Sequence, residues 1–206
     1  MVRSQFCSRG KMRNFILVSI AFLAVAIAIW AFFIDKSSQN SVDMKNIVPL
    51  LTGSMKNFIP TRSVVPTLKL KVLDKRDQWV SLENYRGKIL LVNFWATWCA
   101  PCIREMASLD KLQEKRGGSD FTVIAISQDL MEWKAVLPFL KKSQLKNIPT
   151  FVDRKTQLAR YLKVTGLPTT ILFSKKGKEL GRLKGTAEWD SSQAIKLIDY
   201  YRKISN

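Results

Sequence analysis

The stretch "GKILLVNFWATWCAPCIREM", residues 87 to 106, decides the fold. It joins a nearly continuous apolar run to two cysteines, Cys99 and Cys102, and continues with apolar residues at helical spacing. Such a run is typical of a strand that is buried on both faces of a sheet. Pro101 suits the first turn of a helix. The sequence therefore predicts a strand, a turn that carries the cysteines, and a helix.

Similar patterns predict the rest of the domain. Apolar runs predict two more buried strands, and alternating residues predict a hairpin before the cysteines and a further strand near the end of the chain. These segments are "FTVIAIS" (121–127), "TTILFS" (169–174), the hairpin "TLKLKVLD" and "WVSL" (67–74 and 79–82), and "KELGRLKG" (178–185). Helical spacing follows the cysteines and the serines near residue 191. This order predicts an α/β domain with a mixed central sheet.

The N-terminal region predicts a membrane span. From Phe15 to Ile34 the chain carries no charged residue. At about 1.5 Å per residue, a helix of this length crosses a hydrocarbon core of roughly 30 Å. A cleaved signal peptide is the alternative, but its apolar region usually runs for about 7–15 residues and ends at small residues. Here the run ends near Trp30, Phe32 and Phe33, which favours an uncleaved anchor.

Charge sets the expected orientation of this span. Basic residues and no acid precede it, which predicts that the short N-terminal end stays in the cytoplasm and that the rest of the chain lies outside. We therefore predict four segments. They are a cytoplasmic N-terminus (1–14), a transmembrane signal anchor (15–34), a linker (35–60) whose later part is expected to form a short helix on the domain, and a domain outside the cytoplasm (61–206).

The two cysteines suit thiol-disulfide exchange. Cys99 opens a predicted helix, where unpaired N–H groups and the helix dipole stabilise a thiolate, the reactive form. Cys102 lies one turn later and is placed to attack a mixed disulfide at Cys99. A zinc site would need four ligands, and the chain has three cysteines and no histidine. A peroxidase of the peroxiredoxin type would have Thr where Ala96 stands. No cofactor is expected beyond a redox-active Cys99–Cys102 disulfide.

Proton transfer has to proceed without histidine. Attack by Cys102 requires its deprotonation, and Glu105, three residues further along the same helix face, is the candidate base. If Glu105 is buried beneath the sulfurs, its pKa should rise towards neutral pH. The alternative is a surface Glu that is favoured near the start of a helix.

The net charge is strongly positive, at +18. This charge favours anionic lipid headgroups or an acidic protein partner. The lysines are spread along the chain, which is equally typical of a solvated surface. Nucleic acid is not an expected partner outside the cytoplasm.

Three stretches carry a resemblance to a known family: residues 87–106, "FVDRKTQLARYLKVTGLPTT" (151–170) and "GKELGRLKGTAEWD" (177–190). From about residue 65 to 204 the chain resembles the thioredoxin superfamily, and within it the membrane-anchored TlpA-like group, which includes ResA and the cytochrome c maturation thioredoxins (CcmG). The resemblance implies that the domain at 61–206 is thioredoxin-like, with a thioredoxin fold, an added N-terminal β-hairpin and an insertion between about residues 129 and 150.

The resemblance also implies roles for site residues. Cys99 would be the exposed nucleophile and Cys102 the resolving cysteine. Trp98 and Pro101 flank the pair with rigid groups and are expected to contact substrate.

Two further site residues are Leu167 and Pro168, which follow Thr165 and Gly166. Pro168 would be a cis-proline that packs against the disulfide, and Leu167 would offer its backbone to an extended substrate. From the sequence alone a trans proline is the default. Asn93 stands where ordinary thioredoxins have a buried Asp, and TlpA-like proteins commonly carry the acid at the position of Glu105 instead.

These features predict a single-pass protein of the bacterial inner membrane with its C-terminal domain in the periplasm. It would reduce disulfides of proteins near the membrane, in cytochrome oxidase copper-centre or cytochrome c assembly. Its electrons would come from a membrane reductase of the CcdA/DsbD type. A disulfide-donating oxidant and a non-enzymatic copper(I) carrier are the alternatives, since two thiolates also suit Cu(I).

Overall fold

The structure, a computed structural model, describes residue 23 and residues 25–31, 44–61 and 71–205. The chain divides into two units, residues 1–41 and 42–206. Leu23 and residues 25–31 are helical, and the rest of the predicted span at 15–34 lies outside the described residues, as do residues 1–14 and 35–43. Among the described residues, no helix is both long enough and apolar enough to cross a bilayer.

The second unit contains an eight-stranded sheet and five α-helices in the part that the structure describes. The strands are β1 (Phe58–Pro60), β2 (Lys71–Leu73), β3 (Trp79–Ser81), β4 (Ile89–Trp95), β5 (Phe121–Ser127), β6 (Thr150–Val152), β7 (Thr169–Phe173) and β8 (Glu179–Lys184). The helices are α1 (Met44–Ile47), α2 (Ala100–Arg116), α3 (Trp133–Lys142), α4 (Gln157–Tyr161) and α5 (Ser192–Ile204).

The sheet is mixed, as the sequence predicts. Its strand order is β1-β8-β7-β4-β5-β6-β2-β3. The central strand β4 pairs parallel with β5 and antiparallel with β7, and β5 pairs parallel with β6. The predicted hairpin is confirmed in its described part, since β2 and β3 pair antiparallel and β2 joins the sheet through Leu73 and Val152, while residues 67–70 of the prediction lie outside the described residues. A thioredoxin-type α/β sheet with an added hairpin therefore carries the cysteine turn at the end of β4.

Apolar side chains fill both faces of the sheet. Every residue of β4 and β5 is buried, as their continuous apolar sequences predict. Leu91 belongs to the cluster that α2, α3 and α5 cover, and its neighbour Val92 belongs to the cluster on the α4 side. Ser191 caps α5 by accepting a hydrogen bond from the Ala194 N–H, as expected for a serine before a helix. Burial on two faces fixes the position of β4 and of the turn that follows it.

The folded domain begins before the predicted boundary at residue 61. Within the segment predicted as linker, residues 35–60, the side chains of Ile47, Met55 and Phe58 are buried in the main core. Strand β1 forms one edge of the sheet by pairing with β8. The apolar residues of this segment are spread over one short helix, two 3-10 turns and a three-residue strand, so they follow no single period.

We predict that Gly181→Ala destabilises the protein, because Gly181 lies where β8 meets β1. A Cβ at this position would stand 2.5 Å from ring atoms of Phe58 and 2.8 Å from the Ile59 carbonyl oxygen. Forcing a methyl group into such a contact costs about 1–3 kcal/mol. Urea unfolding should therefore show a clear loss in the free energy of unfolding.

Gly118→Ala is the matched control, since a Cβ at Gly118 meets nothing within 4 Å. If both variants unfold at the same urea concentration, β1 is not packed on the domain as described.

Candidate active site

The cysteine pair lies at the start of α2, directly after the turn that follows β4. Cys99 is the N-cap of this helix, and its Sγ accepts a hydrogen bond of 3.3 Å from the Cys102 N–H. The two cysteines form a disulfide with their Cα atoms 5.2 Å apart. Helix α2 runs for 17 residues, so the positive end of its dipole faces Cys99. The predicted setting for a thiolate at Cys99 is therefore present.

The pair is far less accessible than its flanking residue. Cys99 is 5% exposed and Cys102 is fully buried, whereas Trp98 is 69% exposed. In the disulfide form Cys99 is therefore more accessible than Cys102, but it is not the exposed residue that the resemblance implies. Pro101 is half-buried in the first turn of α2. A partner has to come close to the protein surface to reach the Cys99 sulfur, and the exposed side chain of Trp98 lies next to that sulfur in the chain.

Pro168 has the cis peptide bond that the family resemblance implies. The cis bond joins Leu167 to Pro168, so the trans default taken from the sequence alone is wrong. Pro168 is buried and its carbonyl oxygen accepts a hydrogen bond of 2.9 Å from the Gly185 N–H. Leu167 is half-buried and packs against both core clusters. Pro168 immediately precedes β7, the neighbour of β4 in the sheet.

Glu105 is buried at the centre of a hydrogen-bond network. Its Oε1 accepts a bond of 2.7 Å from Asn93 Nδ2, and its Oε2 accepts one of 3.1 Å from the Ala187 N–H. Asn93 also donates to Thr170 Oγ1 at 2.9 Å. Glu105 is 3% exposed, so the alternative of a surface Glu is wrong. The network joins β4, α2, β7 and the loop before α5.

Burial raises the pKa of Glu105 to about 7, even though the hydrogen bonds from Ala187 and Asn93 favour the charged form. A carboxyl group with this pKa is partly ionised near neutral pH and can both accept and return a proton. Glu105 lies three residues after Cys102 on α2, where residues of this spacing are neighbours. The structure therefore supplies the buried carboxyl group that the sequence predicts.

Asp129 is a residue of this site that our sequence reasoning missed. Its Oδ2 accepts hydrogen bonds from the Thr97 N–H at 3.0 Å and from Ser127 Oγ at 2.7 Å, and its Oδ1 accepts from Thr97 Oγ1 at 2.6 Å. Asp129 thereby holds the turn that leads to Cys99. Its position two residues after the end of β5, a strand that runs parallel to β4, was the available signal.

The predicted insertion, between about residues 129 and 150, contains α3 and a loop that is fixed to α2. Asp110 Oδ1 accepts hydrogen bonds from the N–H groups of residues 146, 147 and 148, at 3.1, 2.8 and 2.9 Å. Burial opposes ionisation of Asp110, but these bonds outweigh it and hold its pKa below the usual value. The insertion is thus attached to the helix that carries the cysteines.

The fold and the cysteine pair together define a thioredoxin-fold thiol-disulfide oxidoreductase. A disulfide at a helix N-terminus, a cis-proline next to the neighbouring strand and a buried acid are all present. The chain belongs to the AhpC/TSA family, whose model matches residues 61–178.

Named relatives agree with this class. The chain is 33% identical, over 134 residues, to thiol-disulfide oxidoreductase ResA of Bacillus thuringiensis subsp. konkukian, which covers 65% of this chain and 73% of the relative. It is 37% identical, over 114 residues, to the thioredoxin-like protein YneN of Bacillus subtilis, which covers 54% and 64%. Among solved structures, the thiol:disulfide interchange protein DsbE of Chlorobium tepidum matches with a TM-score of 0.59 at 25% identity, which covers 66% of this chain and 96% of that one. The predicted TlpA-like resemblance is confirmed.

We predict that Glu105 makes stability depend on pH. Folding raises its pKa from 4.5 to about 7, so between these values the folded state holds a proton that the unfolded state releases. The free energy of unfolding of the oxidised protein should fall as the pH rises through this window, by an amount of the order of 3 kcal/mol. Urea unfolding between pH 4 and pH 8 measures this slope, and Glu105→Gln should flatten it.

Glu114→Gln is the control, because Glu114 is an exposed residue of the same helix. It should retain the wild-type slope. An equal slope in wild type and Glu105→Gln would show that Glu105 does not carry this proton.

Proposed function

We propose that the protein is a membrane-anchored reductant of disulfides in periplasmic partner proteins. The observation that carries this proposal is the buried carboxyl group of Glu105, with a pKa of about 7, one turn after Cys102. A base at this position promotes attack by Cys102, the step that leaves this protein oxidised and its partner reduced. In its protonated form the same group assists the reverse step, so Glu105 supports thiol-disulfide exchange at this pair, and the reduction potential sets the direction. The resemblance to the TlpA-like group favours the reducing direction.

The exchange takes two steps. In the reduced protein the Cys99 thiolate attacks one sulfur of the partner's disulfide, so a mixed disulfide forms and the partner's other sulfur leaves as a thiolate. Glu105 then takes the proton from Cys102, directly or through water, and the Cys102 thiolate attacks Cys99 Sγ. The Cys99–Cys102 disulfide forms, the partner leaves with both sulfurs reduced, and two electrons have moved to it.

Two segments beside the disulfide bind the partner: the residues next to Cys99 and the residues around the cis peptide bond. Trp98 and Pro101 offer rigid surface beside Cys99, and the backbone at Leu167 receives the extended segment of the partner next to the cis peptide bond of Pro168. The partial burial of Leu167 and Pro101 keeps both residues fixed while the partner binds.

The anchor and the partners are part of the same proposal. The uncharged stretch at 15–34 and the basic residues before it support a single span in the bacterial inner membrane, with the domain in the periplasm. Anchoring raises the local concentration of the domain near membrane-bound partners. The partners are disulfide-containing proteins of cytochrome oxidase copper-centre or cytochrome c assembly. A membrane reductase of the CcdA/DsbD type supplies the electrons, and the ResA name of the relatives supports a reaction of this class.

The reduction potential of the full-length protein tests the direction of exchange. We expect a value nearer to that of thioredoxin, about −270 mV, than to that of DsbA, about −120 mV. Equilibration with dithiothreitol or glutathione buffers, followed by alkylation of free thiols, measures it. A value near that of DsbA would contradict the proposal and make the protein an oxidant.

Cys102→Ser is the control for this titration. The variant keeps Cys7 and Cys99 as thiols but cannot form the Cys99–Cys102 disulfide, so it reports the background alkylation that the measurement has to subtract.

A further inference from the structure

A turn beside the active site exposes two large apolar side chains. The turn spans residues 129 to 132 and is separated from the end of β5 by Gln128, and its two central residues are Leu130 and Met131. Leu130 is 86% exposed and Met131 is 66% exposed. Single exposed apolar residues are common, but two neighbours of this size at the tip of one turn form a distinct surface.

Hydrogen bonds hold this turn at both ends. At its start, the Asp129 side chain is bonded to Thr97 and Ser127. At its end, the Glu132 carboxylate accepts hydrogen bonds from Arg154, from Nε at 2.9 and 3.1 Å and from Nη2 at 2.8 Å. The Glu132 N–H also donates to the Asp129 carbonyl oxygen at 2.9 Å and closes the turn. Leu130 and Met131 are therefore displayed on a fixed backbone.

The turn lies at the same edge of the sheet as the reactive disulfide. Strands β4 and β5 are parallel neighbours, and the Gln128 N–H donates to the Trp95 carbonyl oxygen at 2.8 Å. Two residues beyond the last residue of each strand, Trp95 and Ser127, the Thr97 N–H donates to Asp129. Trp98 is the next residue after Thr97, and Leu130 is the next after Asp129. Both exposed side chains therefore follow adjacent, hydrogen-bonded residues, and Trp98 immediately precedes Cys99.

We propose that Leu130 and Met131, together with Trp98, form a docking surface for an apolar segment that flanks the disulfide of a partner polypeptide. This inference rests on the proposed function, because the occupant is the partner that forms the mixed disulfide at Cys99. The bond to Cys99 brings that chain against the turn. Because the backbone of the turn is already fixed, binding costs little backbone conformational entropy. Because the two side chains are apolar, the surface favours partners with apolar residues next to their cysteines.

Two synthetic peptides test this surface. Each contains one intramolecular disulfide, and the residues next to its cysteines are leucine in one peptide and serine in the other. The reduced full-length protein in detergent should reduce the leucine peptide with the higher kcat/KM. The double variant Leu130→Ser, Met131→Ser should lower kcat/KM for the leucine peptide by about tenfold, as expected for the loss of two apolar contacts. Its kcat/KM for the serine peptide and its reduction potential should not change.

Ile59→Ser is the matched control. Ile59 is an exposed apolar residue on β1, the edge strand at the far side of β7 and β8 from the active-site strand. This variant should keep the wild-type preference for the leucine peptide. Retention of the serine-peptide rate by the double variant shows that it is folded and active.

Four results would overturn the proposal in distinguishable ways. Equal rates of the wild-type protein with both peptides, or an unchanged preference in the double variant, would overturn the docking surface alone. A wild-type protein that reduces neither peptide would overturn the reductant function and the docking surface with it. If the double variant slows both peptides equally, and only after reconstitution into phospholipid vesicles, the turn contacts lipid instead of a partner.

Discussion

The hydrogen bond between Asn93 Nδ2 and Glu105 Oε1, at 2.7 Å, joins the central strand to the helix that carries the cysteines. The same amide group donates to Thr170 on β7, the strand that follows the cis-proline. One buried side chain thus connects the carboxyl group on the cysteine-bearing helix to the strand that follows Pro168. An Asp in place of Asn93 would put a second carboxyl group against Glu105, and like charges at this distance disfavour ionisation of both. The uncharged amide leaves Glu105 as the titrating group of the pair.

The end of the sheet that carries the cysteines combines a buried disulfide with the exposed side chains of Trp98, Leu130 and Met131. Asp129 fixes the turn before Cys99 from one side, and the Cys102 N–H binds the Cys99 sulfur from the other. These bonds hold the sulfur in place while Trp98 projects into solvent. In the proposed mechanism chemistry and recognition are thereby separated, because buried groups carry out proton and electron transfer and exposed groups contact the partner.

The long elements of the fold and the chemical pair could be predicted from the sequence, because their patterns are local. Strand β5 matches its apolar run residue for residue, and Glu105 was identified from its spacing to Cys102. The short strands β1 and β6 have three residues each, too few to show a period, and their pairing with distant strands decides their structure. The role of Asp129 was missed for a similar reason, since its bonds to Thr97 span 32 positions in the chain. The cis bond at Pro168 needed the family resemblance.

The most direct test of this account is the pH dependence of mixed-disulfide resolution by Cys102. Stopped-flow mixing of the reduced full-length protein with a disulfide peptide separates this step from the first attack by Cys99. The account predicts a resolution rate that rises with a midpoint near pH 7, the pKa of Glu105. In Glu105→Gln that midpoint should disappear, and the rate should rise only towards the ordinary thiol pKa of about 8.5. The same profile in both proteins would contradict the assignment of Glu105 as the base.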